Sequence, residues 1–132
     1  MFDFDFFEND TTDYKTDCYI AKKLPVVEDE YGNQLEVYDK PEPFSFNIQP
    51  VNSSSEIQAF GERHIKMRKA LVSKSEYLNK FNEFDKVYLD GATPNGETKN
   101  GANANYRIYA INPQNVAIII YFIKLVKENE IW

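Results

Sequence analysis

His64 and Cys18 are the chain's one histidine and one cysteine, and no short spacing joins them. A thiolate–imidazole nucleophile needs its base within hydrogen-bond reach of the sulfur, which here only the tertiary fold could supply. A zinc-type site needs several such ligands at short spacings, so no metal or other cofactor is expected. The chain does carry 21 Asp and Glu residues. Most fall in loops and turns, where a solvated carboxylate is the default, and no position argues for a general acid–base pair. Gly91 and Gly96 have the glycine spacing of a phosphate loop, but Glu97-Thr98 stands where Lys-Ser/Thr is required and no strand-to-helix switch comes after it. The alternating acidic ligands of a calcium hand are missing from the same stretch. The expectation is a protein without a catalytic set; a small hydrolase has only the acid count behind it.

Binding chemistry is better represented. Arg63, Lys66, Arg68, Lys69 and Lys74 lie in one short stretch against a single acid, Glu62. On a strand, Lys66, Arg68 and Lys74 would share a side and could touch phosphates or an acidic partner. The same charges could equally be the solvent-facing side of an edge strand guarded against aggregation. The chain has 10 Phe, 9 Tyr and 1 Trp, enough for a stacking platform, although aromatics at strand spacing more often build a core. Charge is divided along the chain. Residues 1–45 hold twelve acids and four lysines, whereas residues 46–132 hold nine acids and eleven Lys or Arg. Such a split suits two ends that meet different or complementary surfaces, or simply an acidic, solvated amino-terminal arm.

The elements that must position these residues are strands. Val116–Val126 is apolar at ten of eleven positions and rich in β-branched and aromatic side chains, which favours a strand. With Lys124 inside, it is too short and too charged to cross a bilayer. Ala117, Ile119, Tyr121, Ile123 and Leu125 would line one face, and Val116, Ile118, Ile120 and Phe122 the other. Both faces need cover, and a neighbouring subunit is expected to supply part of it. Ile118, Ile120 and Phe122, together with the alternating Phe2, Phe4 and Phe6 near the amino terminus, are therefore candidate inter-subunit contacts.

Taken in order, residues 1–18 read as an acidic arm, residues 19–127 as one β domain and residues 128–132 as a tail. Tyr19–Val27 and Gln34–Tyr38 form a plausible hairpin around Asp29–Asn33. Phe44, Phe46 and Ile48 alternate with polar residues up to Pro50. Asn52-Ser53-Ser54-Ser55 opens a flexible loop to about Gly61. Ile65–Leu71 alternates like a strand, with a helix as its rival. Ser73-x-x-Glu76 resembles a capping box and predicts a short helical turn through Tyr77–Phe81. Lys86–Asp90 and Tyr106–Ile111 are strands separated by Gly91–Asn105, a long Gly- and Asn-rich loop expected to be mobile. The fold class is mainly β: a small antiparallel barrel or sandwich of five to seven strands with one helical turn and an extended amino-terminal arm. A lone cysteine and an amino terminus unlike a signal peptide fit a reducing compartment.

The succession Phe44–Val51, then His64-Ile65-Lys66-Met67-Arg68, then Phe84–Leu89, then Asn105–Pro113, and last the apolar strand from Val116 resembles the head-closure, or stopper, subunits of tailed-bacteriophage head–tail connectors. The resemblance spans about two thirds of the chain and is one of strand types, not of a chemical signature. It implies a small barrel that assembles as a homo-oligomeric ring beneath the portal and adaptor, closes the channel with a loop after DNA packaging, and docks the tail. By position the closing loop would be Val51–Gly61, carrying Val51, Asn52, Ser53, Ser54, Ser55 and Gly61. The Gly91–Asn105 insertion, with Gly91, Gly96 and Gly101, is the alternative. Implied partners are further copies of itself, the portal or adaptor ring and tail-completion proteins, with packaged DNA as a further contact, in the virion and with no membrane. The rival reading is an oligonucleotide-binding barrel using Arg63, Lys66, Arg68 and exposed Tyr88 and Tyr106, against which the net charge of -6 speaks.

Overall fold

The computed structural model describes residues 15–126. Six antiparallel strands close into a barrel in the order β1 (Lys15–Ala21), β4 (Glu42–Pro50), β5 (Met67–Ser73), β8 (Ala117–Lys124), β7 (Tyr106–Pro113) and β6 (Lys86–Tyr88). Pairing of Ile20 with Val87 joins β1 to β6 and completes the ring of strands. A separate two-stranded ribbon, β2 (Val27–Glu28) and β3 (Gln34–Leu35), lies outside it. The expected mainly β barrel is therefore what the chain forms. β1 begins inside the stretch read as an arm: Lys15–Cys18 already pair with β4. The predicted contacts Phe2, Phe4 and Phe6 lie outside the described residues.

Alternation decides which side chains fill the barrel. Phe44, Phe46 and Ile48 from β4, Ala70 and Val72 from β5, and Ile118, Ile120 and Phe122 from β8 all pack in one interior cluster with Cys18, Ile20, Val87, Tyr106 and Ile108. This corrects the sequence expectation for Ile118, Ile120 and Phe122. They are fully enclosed by their own barrel and cannot contact a neighbour. Burial also pushes the Cys18 thiol up to about 12, with Asp17 adding to the effect, so it stays a protonated hydrophobe at neutral pH.

The other face of β8 does need a second cover, and the same chain supplies it. Val51, Met67, Tyr121 and Ile123 form an outer cluster packed by Phe60, Tyr109, Ala110 and Ile119. Phe60 ends helix α1 (Ser54–Phe60), and a 3-10 helix (Gly61–Lys66) continues directly from it. The polar loop expected at Asn52–Gly61 is thus a capped helix, and Ile65 and Lys66, read as strand, belong to the 3-10 turn. A bulge in β7 completes this cover. Ile108 opposes Phe122 and Ala110 opposes Tyr121, so Tyr109 is the extra residue. Tyr109 and Ala110 consequently both pack on the outer cluster, before Ile111 returns toward the interior.

The helical turn expected through Tyr77–Phe81 lies earlier, as α2 (Lys74–Tyr77), and without the predicted capping box: Ser73 makes no side-chain cap bond. Its hydroxyl meets Ser75 instead. Tyr77 and Phe81 then stack at 5.9 Å over the barrel mouth, edge-on to Phe44 and Phe46.

Candidate functional site

The first predicted closing segment is a structural joint. Ser53 caps α1 by accepting from the Glu56 N–H, while the Glu56 carboxylate accepts from the Ser53 N–H and hydroxyl. The same carboxylate reaches Lys69 Nζ at 3.0 Å and accepts from the buried Tyr121 hydroxyl at 2.9 Å. Burial alone would raise the Glu56 pKa. The bonds from Lys69, Ser53 and Tyr121 outweigh it and bring the carboxyl from 4.5 down to about 2. Tyr121, facing that carboxylate in a buried setting, is pushed up to about 12. Val51 is buried, while Asn52, Ser54 and Ser55 are exposed. Gly61 ends α1 with φ +62, a backbone conformation that favours glycine. A segment so bonded to β5 and β8 is ill suited to swing into a channel.

The second segment, 91–105, is long but tied down. Tyr88 is buried at the end of β6, and its hydroxyl donates to Glu97 Oε2 at 2.7 Å and accepts from the Gly101 N–H at 2.9 Å. Asn103 donates to Glu97, Thr93 and Asn95, and Asn105 brackets both backbone groups of Leu89. Burial and the Glu97 carboxylate raise the Tyr88 pKa. Gly101, at φ +90, sits so close that an added Cβ would lie 3.3 Å from Lys86 and the Tyr38 ring. The Tyr88→Phe variant is expected to lose about 1–2 kcal/mol, because the Glu97 carboxylate and the Gly101 N–H each lose a partner. Amide exchange should quicken across 91–105 and stay slow in β7 and β8; uniform protection would refute the role given to this hydroxyl.

The basic stretch does not form one face. Arg63 and Lys66 are on the 3-10 helix, Arg68 and Lys69 on β5, and Lys74 starts α2. Lys69 is committed to Glu56. Arg68 pairs with Asp90 at 3.2 Å, and the Tyr106 hydroxyl donates to the same carboxylate. Lys74 donates to the Gln114 carbonyl, and Arg63 donates to the Tyr109 hydroxyl at 3.0 Å. Tyr88 and Tyr106, offered as exposed stacking groups, are both buried, which removes the rings that the oligonucleotide reading relied on. His64 Nδ1 meets the Gly61 carbonyl and Cys18 is enclosed in the barrel, so the two do not form a pair.

Two surface features carry side chains the sequence reading did not single out. The first is the ribbon, the hairpin expected around Asp29–Asn33: Leu24, Val26, Val27, Tyr31 and Leu35 are all exposed large apolar residues on or beside β2 and β3. The ribbon is held at its base by the Leu24 N–H to the Val37 carbonyl and by the Lys23–Tyr38 bridge, and Asp29 ties its tip by accepting from Tyr31 and Asn33. The second is a row of cations and rings, in which Lys23 lies over Phe84, and Arg107 lies over both Phe84 and Tyr109. Its base is Asp85, fully buried and accepting from the Lys23 and Asn82 N–H groups. Burial raises the Asp85 pKa against those bonds. The turn at Asp29–Asn33 signalled the hairpin but not that its apolar side chains stay exposed; the second feature needs β6 and β7 side by side.

At one barrel mouth a cavity of about 150 Å³ is lined by Tyr77, Phe81, Ile111, Pro113, Ile118 and Ile120 among others, an apolar recess with no convergent ionisable groups. Among the described residues, no group of three or more His, Cys, Asp or Glu is placed to hold a metal, and no helix is long and apolar enough to cross a membrane.

No protein-family model and no curated protein matches this sequence. The fold is similar to the solution structure of protein SF1141 from Shigella flexneri 2a, with a TM-score of 0.56 over 83% of this chain and 90% of that one. At 14% identity the likeness carries the barrel architecture and nothing about activity.

Proposed function

We propose that the chain is a structural subunit that works by docking to neighbours, and, in keeping with its resemblance in strand order, that it forms a ring at the head–tail interface of a tailed bacteriophage, closing the portal channel after packaging and receiving the tail. The observation that supports the docking reading is the ribbon. A two-stranded hairpin is marginal by itself in water, and this one shows Val27 at 50%, Leu35 at 46% and Tyr31 at 81% exposure. A cluster of exposed apolar groups on a projecting element marks a contact surface. The strongest polar clusters point the same way. Glu56, Asp85 and Glu97 are each spent on fastening a segment to the barrel. The closing element, on this reading, is the 91–105 segment, since α1 is fixed.

The test is assembly of the purified full chain, monitored by light scattering and electron microscopy with and without portal and adaptor rings. Rings, or binding to those rings, are expected. Tyr31→Ser with Leu35→Thr, which places no like charges opposite each other in the ribbon, should weaken either by tenfold or more while leaving thermal stability nearly unchanged, as surface substitutions do. A chain that stays monomeric at all concentrations and ignores both rings overturns the proposal.

A further inference from the structure

We propose that Asn95 is a site of spontaneous covalent modification, where the Gly96 nitrogen closes a succinimide ring on the Asn95 carboxamide and water opens it to aspartate or isoaspartate. The same dipeptide at Asn100-Gly101 is held unreactive by Tyr88 and Tyr38. The site does not depend on the docking reading.

The chemistry needs asparagine followed by glycine, whose missing side chain leaves the peptide nitrogen open. The chain contains two such pairs, Asn95-Gly96 and Asn100-Gly101. Ring closure forms a bond from the glycine nitrogen to the asparagine Cγ and breaks the Cγ–Nδ2 bond. The carboxamide nitrogen leaves as ammonia, taking the proton that the glycine nitrogen gives up. One water then opens the imide. Cleavage of the new N–Cγ bond leaves aspartate. Cleavage of the older peptide bond leaves isoaspartate, with the main chain running through Cβ and Cγ. One water is consumed and one ammonia released, and nothing is oxidised or reduced.

The two pairs share a local conformation. Asn95 and Gly96 are the central residues of a turn closed by the Glu97 N–H on the Pro94 carbonyl at 3.3 Å. Asn100 and Gly101 hold the same places in a turn closed by the Ala102 N–H on the Lys99 carbonyl at 3.1 Å. The glycines sit at φ +77 and +90, and both asparagines are exposed. Dipeptide, turn position and exposure therefore do not separate the two sites; their surroundings do.

At Asn100 both reacting groups are occupied. Its Nδ2 donates to the Tyr38 carbonyl at 3.2 Å, and the Gly101 N–H donates to the Tyr88 hydroxyl at 2.9 Å. That hydroxyl spends its own proton on Glu97. It thus meets Gly101 with a lone pair, which opposes the amide anion that must attack. Lys86 and the Tyr38 ring also crowd Gly101.

At Asn95, among the described residues, neither the carboxamide nor the Gly96 N–H has a hydrogen-bond partner, and the space beside the Gly96 α-carbon is open. The bonds at Asn95 engage its main chain alone. Its N–H donates to Thr93 Oγ1 at 3.3 Å, and its carbonyl accepts from Asn103 Nδ2 at 3.1 Å. That carbonyl belongs to the peptide whose nitrogen attacks. A hydrogen bond to it stabilises the anion formed when the Gly96 N–H gives up its proton, so Asn103 activates the nucleophile. Asp90-Gly91 could close the same ring by losing water, but its carboxyl group is held by Arg68 and Tyr106.

Incubation of the full-length chain in heavy-oxygen water at mildly alkaline pH, followed by peptide mapping with mass spectrometry, tests this. The label separates modification of the folded protein from modification during digestion. Asn95 is expected to convert about tenfold or more faster than Asn100, because two hydrogen bonds must break before Asn100 can react. The product should contain both aspartate and isoaspartate. In denaturant the two sites should convert at similar rates. Tyr88→Phe should raise the rate at Asn100 in the folded chain by about fivefold or more and leave Asn95 nearly unchanged. Equal rates in the folded chain, a faster Asn100, or an Asn95 as inert as Asn100 overturns the proposal. A preference for Asn95 that persists undiminished in denaturant does so too, since neighbouring sequence and not the fold would then set it. An Asn100 that stays slow in a folded Tyr88→Phe variant refutes the protection assigned to Tyr88.

Discussion

Phe122→Ala should lower the unfolding free energy by about 3–5 kcal/mol, the largest loss expected from any single truncation in the barrel. Phe122 has no solvent exposure and sits on β8 between β5 and β7, opposite Arg68 and Ile108, so the strands on both sides are held in ladders and cannot readily relax into the void. A stability of about 5–15 kcal/mol is usual for a domain, and a loss of this size would take a large part of it. Urea titration monitored by tyrosine fluorescence gives the number. The measurement also separates two roles for the residue. A core residue lowers stability by the same amount at low and high protein concentration, whereas an interface residue acts through association and gives a concentration-dependent loss. A loss below about 1 kcal/mol, or one that vanishes on dilution, would return Phe122 to the interface the sequence suggested for it.

The misplacement of Phe122 has a physical reason. The apolar run from Val116 announced a strand with two greasy faces, and the structure agrees: Ile118, Ile120 and Phe122 fill the barrel, and Tyr121 and Ile123 lie in the outer cluster. What the run could not say was who covers the outer face. The answer lies in Ser53-x-x-Glu56, a capping box that the serines around it disguised as a loop, while the similar spacing at Ser73-x-x-Glu76 drew attention and caps nothing. The two differ in their glutamates: Glu56 is buried and bonded to Lys69 and Tyr121, whereas Glu76 is exposed. After Glu56 come Ile57 and Phe60, and Phe60 packs its ring 4.9 Å from that of Tyr121. The helix is held by this tertiary contact more than by propensity, as short helices generally are.

The strand with clean alternation, Phe44–Ile48, was legible because period 2 is local information, and Tyr106–Ile111 because its residues are strand formers. The row of Lys23, Phe84, Arg107 and Tyr109 was not. Its members are brought together by barrel closure and by the bulge at Tyr109, and bulges leave no local trace of their register. The basic stretch misled for the converse reason: adjacency in sequence placed Arg68 and Lys69 on opposite sides of one strand, with Arg68 paired to Asp90 and Lys69 to Glu56.

Glu56 carries the second large effect. Glu56→Ala removes the partner of Lys69, the acceptor of the Tyr121 hydroxyl and half of the capping box together, and leaving Lys69 and Tyr121 under cover without it should cost about 3 kcal/mol. The pH dependence comes from the carboxyl's fall from 4.5 to about 2 on folding. The unfolded chain binds this proton more tightly than the native one, so the contribution is complete above about pH 4.5. It is lost progressively as the pH falls from there through about 2, and the gap corresponds to roughly 3 kcal/mol. Glu56→Gln, which keeps the shape and cannot titrate, isolates this quantity. The stability difference between the native chain and Glu56→Gln should be steady from pH 7 to 5 and shrink toward pH 2. A difference independent of pH across that range would mean that Lys69 and Tyr121 do not hold the carboxylate ionised, and α1 would then be fixed to the barrel by Phe60 alone.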